Sequence, residues 1–338
     1  MSEAVIDNSD YLQFTGSSAT GVKVMERAAR RLTPVSLELG GKDPMLVLED
    51  ADIELAANAA VWGAMFNAGQ TCVSVERVYV LEPAYDQFVA AVVKAVENLK
   101  VGAGEGYDFG ALIDESQVAV TARHVDDALA KGAKALTGGK RTEGAGSFYP
   151  PTVLVDVDHS MACMTEETFG PTLPIMKVSS VGEAVRLAND SPPYGLSAVV
   201  FSKDVDRAKD VALQLDCGAV NINDVISNLM CTTAPPMGGW KTSGGIGARF
   251  GGVDGGAQVL PAGDGGGAAA ERGCRRQLLQ QFAQGAGPDE QDDDQAGAGA
   301  SEARGQVAHL LFTWATPAGT SGSITSSGDC GPVLLRRP

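Results

Sequence analysis

Close-set pairs of cysteines, long apolar runs and any excess of positive charge are all missing from this 338-residue chain. The six cysteines, Cys72, Cys163, Cys217, Cys231, Cys274 and Cys330, are scattered. That spacing excludes a short zinc-binding pair and a secreted disulfide framework, so no metal is expected. No apolar stretch approaches the roughly 20 residues that a membrane span needs. Acidic residues outnumber basic ones by 42 to 26, and the net charge of −16 argues against nucleic acid or anionic membrane surfaces as partners. The opening Met1-Ser2-Glu3-Ala4-Val5-Ile6-Asp7 is too polar for a signal peptide. These absences describe a reduced, cytoplasmic, globular protein, long enough for roughly one to three domains.

What is present alternates between strand and helix. Tyr11–Phe14, Val35–Leu39, Pro44–Leu48 and Arg77–Leu81 read as strands. Val22, Met25, Ala28, Ala29 and Leu32 recur at helical period. Asp50 or Asp52 caps the next helix, which ends near Phe66 and places Leu55, Ala59, Trp62 and Phe66 on one core-facing side. Pro83 opens a further helix through Phe88, Val92, Val96 and Leu99, and another runs from about Ser116 to Lys131. His124, beside Asp126 and Asp127, reads as a solvated surface residue. Later strands fall near Ala135-Leu136, Val153–Val155, Pro174–Val178, Ala198–Phe201 and Ala219–Ile222, with helices at Val181–Asn189 and Val205–Leu215. Such alternation implies an α/β layered fold with a mostly parallel sheet.

Chemistry concentrates in a few stretches. Cys72 follows the small-residue turn Asn67-Ala68-Gly69-Gln70-Thr71. Sulfur attacks a carbonyl as thiolate, which needs a polar, reachable setting such as this turn provides. Taken alone, however, a cysteine after a helix reads as a small core hydrophobe. Leu37-Glu38-Leu39-Gly40-Gly41-Lys42 lies upstream, with Glu38 34 positions before Cys72. Phe14-Thr15-Gly16-Ser17 with Gly21 joins a strand to a helix, where free N–H groups suit an anion, though most such turns are only connections. Glu166-Glu167-Thr168-Phe169-Gly170-Pro171 alone reads as a charged turn.

Taken in their order along the chain, together with Asn221, Asn223 and Pro236-Met237-Gly238-Gly239-Trp240-Lys241-Thr242-Ser243-Gly244, the stretches resemble the NAD(P)-dependent aldehyde dehydrogenase superfamily from about Tyr11 to about Gly252. The resemblance implies an aldehyde-dehydrogenase-like catalytic domain with a mostly parallel sheet, plus a remnant of the Rossmann-type cofactor domain. It divides the chain into a dinucleotide-binding remnant at 1–41, a catalytic domain at 42–236 and the family's C-terminal motif at 237–252. It makes Cys72 the nucleophile and Glu38 the general base. Gly16, Ser17, Gly21 and Leu39 become cofactor-binding residues; Glu167 would meet the nicotinamide ribose, with Phe169 packed nearby. Asn221 and Asn223 resemble positions around the substrate funnel. NAD or NADP is the implied cofactor, and a small-molecule aldehyde, oxidised to a carboxylic acid through a cysteine thioester, the implied substrate.

Departures set up a competing expectation. Relative to the family pattern, half of the dinucleotide site and the asparagine of the oxyanion hole are missing upstream, and prolines are doubled at Pro192-Pro193 and Pro235-Pro236. Residues 253–338 form a Gly/Ala-rich and acidic low-complexity tail, expected to be disordered. A reading-frame shift between about Gly244 and Ala257 would account for that tail and for the loss of the strand the family uses to form its homo-oligomer. On these grounds the alternative expectation is a truncated, inactive fragment or a non-catalytic binding module.

Overall fold

The computed structural model describes residues 3–141, 144, 146–190, 193–226 and 238–244. The tail and the segment 245–252 lie outside the described residues, as do Pro192, Pro235 and Pro236.

Two sheets organise the chain. The first pairs β1 (Leu12–Thr15) with β2 (Val35–Glu38), in the register Thr15 opposite Glu38. The helix between them, α2 (Ser18–Ala29), begins four residues before Val22, because Ser17 caps it by accepting the Thr20 N–H. A short helix α1 (Glu3–Asp7) precedes them, and Ile6, Leu12, Val24 and Ala28 form a small separate core beneath. Arg27 binds Asp7 across this unit.

The second sheet contains β3 (Pro44–Val47), β4 (Arg77–Leu81), β5 (Lys134–Thr137), β6 (Thr152–Val155), β7 (Thr172–Val178), β8 (Ser197–Phe201) and β9 (Ala219–Ile222). Their order is β5-β6-β7-β4-β3-β8-β9, parallel throughout except for the β5–β6 pair. Every residue of β3, β4 and β8 is buried, so both sheet faces are covered. The covering helices are α3 (Ile53–Met65), α4 (Glu82–Glu97), α5 (Glu115–Ala130), α7 (Val181–Asn189) and α8 (Val205–Ala212), with the single turn α6 (Ala162–Thr165) at one side. Side-chain caps from Asp52, Asp114, Ser180 and Asp204 start four of them. Asp50 does not cap; it accepts bonds from the Ser202 hydroxyl and the Asp204 N–H, tying the end of β3 to the end of β8.

Two sequence expectations fail here. The buried side of α3 is lined by Ala56, Ala57, Ala60, Val61, Gly63, Ala64 and Met65, whereas Leu55 and Trp62 point outward, Trp62 being 43% exposed. Close packing against the sheet selects small residues, and the large apolar ones are left outside. His124 is fully buried and not solvated. Its Nδ1 lies 3.0 Å from the Thr168 hydroxyl and its Nε2 faces Glu166 at 3.3 Å, so it packs inward from α5 while its acidic sequence neighbours turn elsewhere.

Arg77, at the start of β4, is 2% exposed. It donates to the carbonyls of Lys42 at 2.8 Å, Leu187 at 3.4 Å and Ala188 at 2.9 Å, and to the Tyr79 hydroxyl at 2.8 Å. Two of these carbonyls belong to the last turn of α7, where a cation is favoured by the helix dipole. The Tyr79 hydroxyl in turn lies 2.8 Å from His159 Nε2.

Candidate active site

The β2 strand delivers Glu38 to the junction between the two sheets. Its carbonyl accepts the Gly16 N–H at 3.1 Å, and the residue forms an isolated antiparallel bridge with Gly244. Leu39 N–H donates to the Ser243 carbonyl at 3.1 Å, while the Ser18 hydroxyl binds the Thr242 carbonyl. The Gly16-Ser17 turn, Glu38 and the Ser243-Gly244 segment, distant in sequence, thus meet at one seam. One carboxylate oxygen of Glu38, Oε1, is enclosed with no hydrogen-bond partner among the described residues. Burial pushes its pKa up to about 7.

Cys72 approaches from the other sheet. α3 ends at Met65, and Asn67, Ala68 and Gly69 then adopt three successive left-handed conformations, with φ of 52°, 57° and 75°. Asn67 and Gln70 close this turn by mutual side-chain to backbone bonds, and the Gln70 side chain also accepts the Ile113 N–H. A Cβ on Gly69 would overlap the Gly170 carbonyl, so only glycine lets this turn abut the Glu166–Pro171 loop. The polar turn does not lower the thiol pKa. Burial raises it to about 11, and the negative charges of Asp43, Glu38 and Glu167 add to the effect.

Gly40-Gly41 passes between these two arrivals. A Cβ on Gly40 would overlap the Glu167 carboxylate, and one on Gly41 would overlap Asp43 and crowd the Cys72 carbonyl. The Gly41 N–H donates to Glu167 Oε1 at 3.0 Å. Burial, then the charge of Glu76, raises Glu167 to about 7. Phe169, two residues on, takes a left-handed φ of 53°. Glu38, Cys72 and Glu167 therefore converge around one pair of glycines.

α2 starts directly after Gly16-Ser17; Thr20 and Gly21 N–H are taken up by Ser17, which leaves Ser18 and Ala19 to head the helix without an intrahelical acceptor, the arrangement that suits an anion. Ser17 is partly committed, since it caps Thr20. Leu39 is buried against Gly21 and its N–H is bonded to Ser243, leaving its carbonyl as the group it can offer. Glu38, with its unpartnered oxygen, belongs to the same seam, and the Glu167 carboxylate docks on Gly41 three residues further along the chain. These residues fit the phosphate-to-nicotinamide part of a dinucleotide.

The aldehyde dehydrogenase family profile matches residues 3–260, slightly beyond the Tyr11–Gly252 span that the motifs suggested. The chain belongs to the aldehyde dehydrogenase family. A protein of Mycobacterium ulcerans provisionally named a succinate-semialdehyde dehydrogenase [NADP(+)] is 45% identical over 251 residues, 73% of this chain and 48% of the relative. A 4,4'-diapolycopene aldehyde oxidase of Methylomonas is 47% identical over 235 residues, covering 70% of this chain and 43% of that protein. Among solved structures, Staphylococcus aureus betaine aldehyde dehydrogenase in complex with NAD+ superposes with a TM-score of 0.68 at 38% identity, over 73% of this chain and 49% of that one. Escherichia coli lactaldehyde dehydrogenase gives 0.68 at 38% identity, over 72% and 50%. The chain spans about half the length of the curated relatives it matches.

Within this family member, sequence reasoning missed a buried polar group behind the Glu166–Pro171 loop. Lys42 Nζ bonds Glu76 at 2.6 Å and the Thr168 hydroxyl at 3.1 Å, while Gln117 donates to the carbonyls of Thr168 and Phe169. The available signal was Glu76 itself, a carboxylate between Val75 and the strand β4. Asn221 is buried. The Asn223 side chain both donates to and accepts from the Ser202 backbone, which spends it on closing β8 against β9. Trp62 and Phe66 stand 5.1 Å apart, centroid to centroid, at the approach to the cysteine turn.

Exposure gives an expected order of thiol reactivity. Cys72 is half-buried, whereas Cys163 and Cys217 are buried. Under native conditions iodoacetamide should label Cys72 before either of them, with a rate that climbs roughly tenfold per pH unit because the thiolate is the nucleophile. Peptide mapping after short pulses at several pH values measures this; Cys163 or Cys217 labelling first would be the contrary result. Cys231, Cys274 and Cys330 lie outside the described residues.

Proposed function

We propose that this chain carries the catalytic portion of an aldehyde dehydrogenase, oxidising an aldehyde to a carboxylic acid with NAD+ or NADP+ through a thioester on Cys72. The observation that supports this most is the convergence of Cys72, Glu38 and Glu167 on Gly40-Gly41. The named relatives bring both cofactor forms into the proposal, NADP+ in one name and NAD+ in one solved complex. Residues 1–41 would serve the dinucleotide, 42–236 the chemistry, and 237–252 the family's C-terminal motif, of which Thr242–Gly244 border Glu38.

Cys72 Sγ, having lost its proton, bonds to the aldehyde carbon, and the Cys72 backbone N–H donates to the oxygen that becomes negative. A nicotinamide bound there would supply the hydride acceptor, and loss of hydride from the former aldehyde carbon would leave a thioester on Cys72. Gly16, Ser17 and Gly21 would hold the pyrophosphate at the start of α2, Leu39 would offer its carbonyl, and Glu167 and Phe169 would orient the nicotinamide end. Glu38 then removes a proton from water, whose oxygen adds to the thioester carbon. The carbon–sulfur bond breaks, the acid leaves, and the thiolate returns. Glu38, with a pKa of about 7, is poised for that proton transfer near neutral pH.

An activated ester tests the cysteine without any cofactor. p-Nitrophenyl acetate should place one acetyl group on Cys72, detected by intact mass and peptide mapping, and Cys72→Ser should remove it. Acetylation spread over lysines, with none on Cys72, would overturn the assignment. Aldehyde with NAD+ or NADP+, followed by absorbance of the reduced nicotinamide, then tests the whole reaction.

A further inference from the structure

Glu76 lies four residues after Cys72, on the segment that enters β4, and is 4% exposed. Its two oxygens gather three donors. Oε1 accepts the Phe169 N–H at 2.9 Å; Oε2 accepts the Thr168 N–H at 3.1 Å and the Lys42 ammonium at 2.6 Å. Successive backbone N–H groups converging on one anion form a nest, and here the nest depends on the left-handed Phe169. A non-glycine residue in that conformation is strained, and it persists where its surroundings hold it. The carboxylate of Glu76 is the group that faces both amides.

Glu167 directly precedes this pair, and its own carboxylate is fixed on the Gly41 N–H at 3.0 Å. The loop is therefore held at two points. One faces the glycine pair beside Cys72; the other lies behind it, on the same segment that carries Cys72. Gln117 supports the loop from α5 through the Thr168 and Phe169 carbonyls. We propose that Glu76 is a positioning residue, whose carboxylate clamps the Thr168 and Phe169 amides and so keeps Glu167 and Phe169 in register with Cys72. The functional consequence rests on the reading of Glu167 and Phe169 as cofactor residues; the clamp itself does not.

A plain stabilising role for the Lys42–Glu76 pair makes a different prediction. Losing it would loosen the domain as a whole, whereas losing the clamp frees one loop. Amide hydrogen exchange separates the two, because protection is read residue by residue. In Glu76→Gln, the side-chain amide keeps one acceptor and turns a donor toward the amides and Lys42. Exchange at Thr168 and Phe169 should then accelerate by about tenfold or more, with β4 and β7 amides unchanged. Glu76→Ala should release both amides further. The Glu167 carboxyl, followed by carbon NMR, should titrate lower in both variants, since a neighbouring negative charge is gone and the loop is better solvated.

Unchanged protection at Thr168 and Phe169 in Glu76→Ala overturns the proposal. So does an equal rise across β4 and β7, which would make Glu76 a residue of the fold at large. None of these readouts needs cofactor or turnover. If Cys72 fails to take an acetyl group while the exchange result holds, the functional reading falls and the clamp stands.

Discussion

Glu38→Gln should leave Cys72 acylated. After a pulse of p-nitrophenyl acetate the native chain sheds its acetyl group, and the variant should retain it about 10²–10⁴ times longer, the usual contribution of a positioned base. Glutamine has nearly the same shape but cannot take a proton from water. The pH dependence adds a second signature. Glu38 works as carboxylate, so deacylation should climb up to about pH 7 and then level off, and should be flat in the variant. Acylation depends instead on the Cys72 thiolate and should keep rising toward about pH 11. Stability should move the opposite way to activity. A carboxyl whose folded pKa is raised binds its proton more tightly when folded, so stability falls as pH rises from the ordinary carboxylate range to about 7. Glu38→Gln removes that loss and should unfold at higher urea than the native chain above pH 7. Equal deacylation rates in the two proteins would remove Glu38 from the mechanism.

Arg77→Met should cost about 3–5 kcal/mol in urea unfolding, a large share of the stability of an ordinary domain. The side chain is nearly the same length and apolar, so the cavity is small. What changes is that three carbonyls and a phenol lose their donor inside the protein. Each buried unsatisfied group costs about 1–3 kcal/mol, offset in part because a buried charge has also been removed. Arg77→Lys should recover only a fraction, because one ammonium cannot span the Lys42 carbonyl ahead of β3, the Tyr79 hydroxyl on β4 and the carbonyls of α7 together. A midpoint shift at constant slope is the readout, and a shift under about 1 kcal/mol would count against this account.

The parts of this fold that were legible in sequence share one property: their signal is local. Apolar runs marked β3, β4, β7 and β8, and the Asp50/Asp52 pair before a periodic stretch marked the start of α3. The motifs around Glu38, Cys72 and Glu167 were legible for the same reason, and the structure brings them together. What escaped depends on partners far along the chain. The core face of α3 is built of alanines, because closeness of approach and not side-chain size decided it. His124 looked solvated from Asp126 and Asp127, yet its partner is Thr168. The Cys72 turn is polar in composition, but enclosure outweighs composition in setting the thiol pKa. Nothing adjacent to Glu76 announces that it holds a loop more than ninety positions away.

The bonds from Arg77 to Tyr79 to His159 have a direction. A guanidinium only donates, so the phenol oxygen must accept. The arrangement that leaves no phenol proton unused sends that single proton on to His159 Nε2. His159 is then neutral, with its own proton on Nδ1, and the row of three points one way, from the buried cation out to a half-buried ring. Burial and then the Arg77 charge already hold the His159 pKa below its ordinary value, with Arg186 adding to them and Asp190 and Asp158 pulling the other way. Acid would place a second proton on Nε2 and set two donors face to face. The phenol would have to swing away, and the oxygen that shares the Arg77 load would go with it. Folded-state protonation is thus resisted, and the stability this row contributes drains as pH falls below the usual histidine range. A ring near the surface, far along the chain from Cys72, sets an acid limit on the scaffold that carries it.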